Sequence, residues 1–451
     1  MTDPRRALPP IHELVDAAEC AWLIQQYGRG SVTDAVREVL AQVRAGAATA
    51  GSTAEYVGRA HAQLATERAP SLRRVVNATG VILHTNMGRA PLATEAVLAM
   101  SQIASGYSNL EFDLATGTRG SRLLHAREQL IRLTGCEDAV VVNNCAAGLV
   151  LALRALAGGQ QVLVSRGELV EIGGGFRVPE IMTQAGVELV EVGTTNRTRL
   201  DDYASAITAR TGAMVKVHRS NFAMTGFVAD VAVEELMALG RAHTLPVLHD
   251  FGSGLLLDLA AWGLTGELTA RDAVATGADV VIMSGDKLLG GPQCGIVLGT
   301  SAAITQLRQH PLARALRVDK LTLAALEATL ALSHDPAVAT QQIPVLQMIT
   351  APAAAVEARA ASLRDALADH GIRSELVPHT ATIGGGAFPT AVLPSTAVAL
   401  TGDAERWHTG LRTHAMAVVG IARNGRCLLD ARTISDADVR RVVLAAREVA
   451  A

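Results

Sequence analysis

The sequence predicts an α/β protein built on a mostly parallel sheet with both faces covered. A helical module precedes that sheet and a smaller α+β domain follows it. Three observations carry the prediction. From about residue 139, short apolar runs alternate with stretches long enough for helices, as parallel strands with crossover helices require. Residues 1–70 keep helical spacing instead, and beyond about residue 335 alanine-rich helical stretches mix with short alternating runs. The expected domains are 1–70, 71–335 and 336–451.

In the first module Ile11, Leu14, Val15 and Ala18 recur at helical spacing, as do Val32, Val36, Val39, Leu40 and Val43. Gly28-Arg29-Gly30-Ser31 separates two such helices, with Ser31 the expected N-cap. Seven arginines against eight acids make a solvated helical surface the plain reading of this module. Next comes a region rich in arginine and glycine, 76–92 and 117–122. There Arg89 and Arg119 sit among glycine and small polar residues, either approaching an anion closely or standing as solvated loop charge. The expected strands of the sheet are 139–143, 161–165, 187–192, 213–217, 246–250 and 279–284, with helices at 148–156 and 232–243. Residues 294–299 follow too closely for a crossover helix, so they are expected to pair antiparallel. Further on, a helix is expected over 351–367, strands near 372–377, 391–393, 417–422 and 428–433, and a closing helix at 435–449.

Composition bounds the function. Apolar residues make up 49% and charged residues 18%, ordinary for a globular chain with a large core. A net charge of −3 gives no whole-protein case for nucleic-acid binding, so any such site must be a local arginine patch. Five scattered cysteines, with no CxxC or His/Cys cluster, indicate neither a disulfide framework nor a metal site. No apolar stretch is long enough to span a bilayer, and a cytoplasmic protein is expected.

The chemistry gathers at 280–291. Val280-Val281-Ile282-Met283 reads as a buried strand, Ser284-Gly285-Asp286-Lys287 leaves the sheet, and Gly290-Gly291 turns the chain. An amine held where an apolar strand ends is costly to keep charged, which suits it to attack a carbonyl; the plainer reading is a strand-end lysine snorkelling to water. Lysine is rare here, with Lys216, Lys287 and Lys320 the only three among 40 basic residues. That scarcity favours chemistry a guanidinium cannot do. One βα unit upstream, Val247-Leu248-His249-Asp250 ends a short strand before a glycine turn. Alone, Asp250 reads as a helix cap. Paired with Lys287 at the end of a neighbouring strand, it matches what pyridoxal phosphate needs: an amine for the Schiff base and an acid for the pyridine nitrogen. Asn144-Cys145-Ala146, between a strand and a helix expected to begin near Gly148, offers backbone N–H groups to a phosphate, a weak signal taken singly.

With those residues in view, the chain resembles L-seryl-tRNA(Sec) selenium transferase, the bacterial selenocysteine synthase family of fold-type I, aspartate-aminotransferase-like pyridoxal phosphate enzymes. The resemblance runs nearly end to end. It rests on 77–92, 117–122, 164–174, Gly193-Thr194-Thr195-Asn196, 215–221, 249–254 and 284–295. It implies a Schiff base on Lys287 and Asp250 at the pyridine nitrogen of pyridoxal 5′-phosphate. Ser284, Asn144, Cys145 and Ala146 are then expected near the phosphate, and His218 against the cofactor. Asp286, Arg89, Arg119, Thr194, Thr195, Arg314 and Arg317 are implied as active-site and substrate-anion residues, with Arg314 and Arg317 on neighbouring turns of one helix face. Four positions depart from this pattern: Arg219 where a small hydroxyl residue is usual, Phe222 in place of tyrosine, and Cys145 and Cys294 at Asn- or Ala-type positions.

The activity implied is conversion of seryl-tRNA(Sec) to selenocysteinyl-tRNA(Sec), by β-elimination to a dehydroalanyl group and addition of selenium from selenophosphate. Lys287 is the implied base and Asp286 the implied proton donor to the departing hydroxyl. The resemblance also implies a tRNA grip by residues 1–70 and a homodecamer. Two rivals stand beside it: an ammonia-lyase of the same cofactor class acting on a phosphorylated amino-sugar acid, and a non-catalytic tRNA-binding protein that kept the fold.

Overall fold

The computed structural model describes residues 8–171, 175 and 177–451. Two compact units divide at Arg74/Val75. Of the segments that carried the resemblance, Ile172-Gly173-Gly174 lies outside the described residues, as do the first seven residues of the helical module.

The first unit is helical: Ile11–Asp16, Ala21–Tyr27, Arg29–Arg44 and Thr53–Glu67. Leu14, Leu23, Val32, Val36, Val39, Leu40, Tyr56 and Leu64 are fully buried between them. The longest helix begins at Arg29, two residues before the expected cap. Gly28 turns the chain at φ 82°, and Ser31 lies inside the helix, where its Oγ accepts from Arg68 Nη2 at 2.8 Å. A reciprocal Ser52/Glu55 capping box starts the last helix.

In the second unit a seven-stranded sheet runs Asp138–Val142, Gly295–Gly299, Val280–Ser284, Val247–Gly252, Thr211–Val217, Gln161–Ser165, Glu188–Val192. Gly295–Gly299 is antiparallel to both neighbours, and every other pairing is parallel. The alternation of side chains explains the continuous apolar runs. Val281 and Met283 enter one hydrophobic core, while Val280 and Ile282 enter another on the opposite face. Each fully buried side chain of this kind contributes about 1.5–3 kcal/mol, so burial on both faces holds the strand that leads to Lys287 in the interior of the sheet.

A five-stranded sheet follows, in the order Ile421–Arg423, Arg426–Asp430, Val392–Leu400, Ser374–Gly384, Val81–Leu83. Its last member comes from far upstream, and Val76–Asn77 likewise pairs parallel with Val418–Val419. Helices Ala353–Ala368 and Asp436–Ala450 supply Val356, Leu363 and Val442 to the core beneath it.

Candidate active site

The carboxyl ends of Asp138–Val142, Val280–Ser284, Val247–Gly252 and Thr211–Val217 face the same way and open into a cavity of about 690 Å³. Lys287, Asp286, Asp250 and Ser284 line it, as do Asn144, Cys145, Ala146, His218 and Arg89.

Asp250 stands on the strand next to that of Lys287, in register with Ile282. Immediately after it the register shifts, and Gly252 takes φ 69°. A Cβ added to Gly252 would lie 3.9 Å from both Asp250 Oδ1 and Lys287 Nζ, so the acid and the amine converge over a bare backbone. The turn carrying Lys287 is pinned from below. Leu288 N donates to Ser253 O at 3.1 Å, and any side chain at Gly254 would come within 2.2 Å of Ser284 O. Lys287 is 6% exposed, and its Nζ makes no hydrogen bond or ion pair among the described residues. The other two lysines have structural partners: Lys216 Nζ meets Glu168 Oε1 at 2.5 Å, and Lys320 Nζ donates to Gly106 O.

Burial pushes the Asp250 carboxyl up, against the opposing charge of Lys287. Its carboxylate receives one hydrogen bond among the described residues, from Cys145 Sγ at 3.6 Å. Burial likewise pushes the Cys145 thiol up, which keeps it a neutral donor.

Helix Cys145–Ala157 begins three residues before the expected start. Asn144 Oδ1 caps it by accepting from Ala147 N at 2.9 Å. Its first residues line the cavity beside Ser284, so N–H groups and a hydroxyl meet where an anion would sit. Arg89 holds a left-handed φ of 61°, and its Nη1 reaches Asp286 Oδ2 at 2.7 Å.

The structure does not bring the remaining expected residues into this cavity. Arg119 and Arg317 gather instead on Glu111, at 3.5 and 3.4 Å, with Arg122 at 2.8 Å. Arg314 is exposed in the short helix Pro311–Ala315, and Arg317 lies beyond its end, bridging to Val142. The expected shared helix face is therefore absent, because Leu316 and Arg317 leave the helix to pair with the strand end. Thr194 and Thr195 are exposed in a turn that Thr194 Oγ1 closes on Arg197 O. Arg219, the departure from pattern, donates to Gly167 O and pairs with Asp230, a structural role.

Sequence reading missed the third wall. Gly384, Gly385, Gly386, Ala387 and Phe388, from the end of a five-stranded-sheet strand, line the cavity with Ser220. The triple glycine was the available signal. Among the described residues no group of His, Cys, Asp and Glu could hold a metal ion.

Comparison with known proteins follows this geometry. A family model described as L-seryl-tRNA selenium transferase matches residues 75–435, and one described as selenocysteine synthase N terminal matches residues 5–44. The L-seryl-tRNA(Sec) selenium transferase of Geobacter sulfurreducens is 47% identical over 98% of each chain. That of Hyphomonas neptunium is 44% identical over 99% of this chain and 98% of its own. Among solved structures, a D-glucosaminate-6-phosphate ammonia-lyase aligns with a TM-score of 0.59 at 22% identity, covering 86% of this chain and 98% of its own.

Proposed function

The chain belongs to the L-seryl-tRNA(Sec) selenium transferase family, and on that premise we propose that the Lys287 cavity is where L-seryl-tRNA(Sec) becomes L-selenocysteinyl-tRNA(Sec). The convergence of Lys287 and Asp250 over Gly252 carries this reading. The likeness to the ammonia-lyase, at 22% identity, speaks for the fold alone and does not favour that alternative.

The cofactor of the family's fold is pyridoxal 5′-phosphate, and the residues present fit it. Lys287 offers an amine without a hydrogen-bond partner among the described residues, and Asp250 a carboxyl group whose one hydrogen bond there comes from Cys145 Sγ. Asn144, Cys145, Ala146 and Ser284 line the cavity and would hold its phosphate, and His218, also in the lining, would face its ring. When bound, the cofactor supplies an electron sink for loss of the seryl α-proton and β-hydroxyl.

The chain's own residues do the rest. Asp250 would hold the proton on the ring nitrogen. Lys287 Nζ would take the α-proton and return one to the departing hydroxyl oxygen. Asp286 accepts from Arg89 at 2.7 Å, so it aims that guanidinium into the cavity rather than serving as the proton donor expected from the sequence. Arg89 then meets the incoming selenium donor, selenophosphate in this proposal. Arg119, Arg314, Arg317, Thr194 and Thr195, outside the cavity, are assigned to the polyanionic substrates. The helical module, residues 1–70, is assigned to grip tRNA(Sec). Assembly as a homodecamer in the cytoplasm belongs to the same proposal; no helix among the described residues is long and apolar enough to cross a membrane.

The test is direct. With selenophosphate, the purified protein should convert seryl-tRNA(Sec) and ignore free serine. Borohydride reduction followed by peptide mapping should place a pyridoxyl label on Lys287. A label elsewhere, or turnover of a free amino-sugar acid without tRNA, would overturn the reading.

A further inference from the structure

Cys145 stands at one of the positions where this chain departs from its family's pattern, and the cavity gives its side chain a definite partner. It is the first residue of helix Cys145–Ala157 and lines the cavity with Asp250, Ser284 and Lys287. Its Sγ donates to Asp250 Oδ1 at 3.6 Å, a bonding distance for an atom as large as sulfur. No other donor reaches that carboxyl among the described residues. Burial, and then the Asp250 charge, push the thiol up, so at neutral pH it carries the proton that the bond needs. The backbone at Cys145 has little room to shift. Asn144 Oδ1 caps the helix from Ala147 N at 2.9 Å, and a Cβ on Gly295 would lie 3.0 Å from Cys145 N. On the other side, Asp250 Oδ1 and Lys287 Nζ are each 3.9 Å from where a Gly252 Cβ would stand. Lys287 is 6% exposed and unpartnered among the described residues, which marks the space beside the Asp250 carboxyl as a ligand's.

We propose that Cys145 is a positioning residue whose thiol fixes the orientation of the Asp250 carboxyl toward the ring nitrogen of the cofactor. A carboxyl without a donor is free to turn about its last bond, and a thiol anchored at a capped helix start removes that freedom. The same bond favours the ionised carboxylate, against burial, which pushes Asp250 up. Two other groups act on Asp250 in the same sense: Lys287, from the turn after Val280–Ser284, and His218, just past Thr211–Val217. The proposal rests on the reading that Asp250 holds the proton of the ring nitrogen. Cys145 acts through Asp250 and makes or breaks no bond of the substrate. Its backbone N–H, a separate group, remains the one assigned to the phosphate.

The experiment separates orientation from packing. Cys145→Ala deletes the donor. Cys145→Asn replaces it with an amide N–H that reaches further than the sulfur, toward the ordinary donor distance to a carboxylate. Full-length protein is stripped of cofactor, and the Kd for added pyridoxal 5′-phosphate is read by absorbance titration from acidic to neutral pH. Cys145→Ala should weaken the cofactor about fivefold at neutral pH, the worth of one modest hydrogen bond. Its loss of affinity on acidification should also begin at higher pH than in wild type, since Asp250 without its donor takes up a proton sooner as pH falls. Cys145→Asn should restore both the Kd and the acid limb. A Cys145→Ala Kd equal to that of wild type overturns the proposal. So does a weaker Kd with an unmoved acid limb, which packing alone explains, and so does a Cys145→Asn protein no better than Cys145→Ala. Asp250→Asn checks the premise: affinity equal to wild type there sinks the reading of Asp250, and the proposal with it. A wild-type protein that takes up no cofactor would instead sink the proposed function.

Discussion

Lys287 is the residue on which activity turns. Lys287→Ala removes the amine that moves the α-proton, so the rate with seryl-tRNA(Sec) should fall by about 10²–10⁴-fold with the fold intact by circular dichroism. A loss under tenfold would mean another group moves that proton. His249, beside Asp250 in the same strand, carries a separate expectation. Burial, reinforced by the nearby charges of Lys216 and His218, lowers it to about 4 from 6.5. Between those two values the unfolded chain binds a proton that the folded one refuses. Stability present above pH 6.5 is therefore lost as pH falls toward 4, by an amount on the order of 2–3 kcal/mol. Denaturant unfolding across that window should show a gentler slope for His249→Gln; an identical slope would refute the assignment. Lys287 and Asp250 were legible in the sequence because an apolar run followed by glycine encodes a strand end locally. The bond that Glu267 Oε1 accepts from Phe388 N in the cavity's glycine-rich wall was not, because it depends on how distant segments pack, which no local pattern records.

The helix Cys145–Ala157 shows why its boundary was misread while its existence was not. The sequence suggested a helix start near Gly148, yet this residue lies within the helix, where the sheet comes close. A Cβ at that position would meet Ile282 Cγ2 at 3.0 Å and Val297 Cγ2 at 3.1 Å. Both neighbours are β-branched and stiff in buried strands, so they yield little. Gly148→Val should therefore destabilise the protein by about 1–3 kcal/mol, visible as a lower thermal midpoint. An unchanged midpoint would show that the helix can shift outward. At the cap, Asn144→Ala should cost about 1 kcal/mol through loss of the bond to Ala147 N. The strands and the antiparallel Gly295–Gly299 were readable from run length and spacing. The split of Arg314 from Arg317 was not, since it follows from the bridge to Val142 rather than from helix periodicity.

At the scale of the whole chain, the division at Arg74/Val75 separates a helical unit from the one that contains the cavity. If the first grips tRNA(Sec), a chain starting at Val75 should still bind pyridoxal phosphate but use seryl-tRNA about 10²-fold less well at limiting substrate. Equal use of seryl-tRNA would remove that role. The sequence showed the helical unit through its spacing. It could not show that 76–83 belongs beside strands from the far end of the chain, because strand partners carry no address that a single sequence displays. Val81 pairs with Thr382, and Val76 with Val418. During synthesis, then, a ribosome that has delivered the lysine strand still holds a nascent protein whose opening edge has nothing to dock on. Thr85 and Arg89 follow directly after that waiting edge, so the pocket matures among the last events of translation, and nascent chains stalled before residue 374 should lean on chaperones.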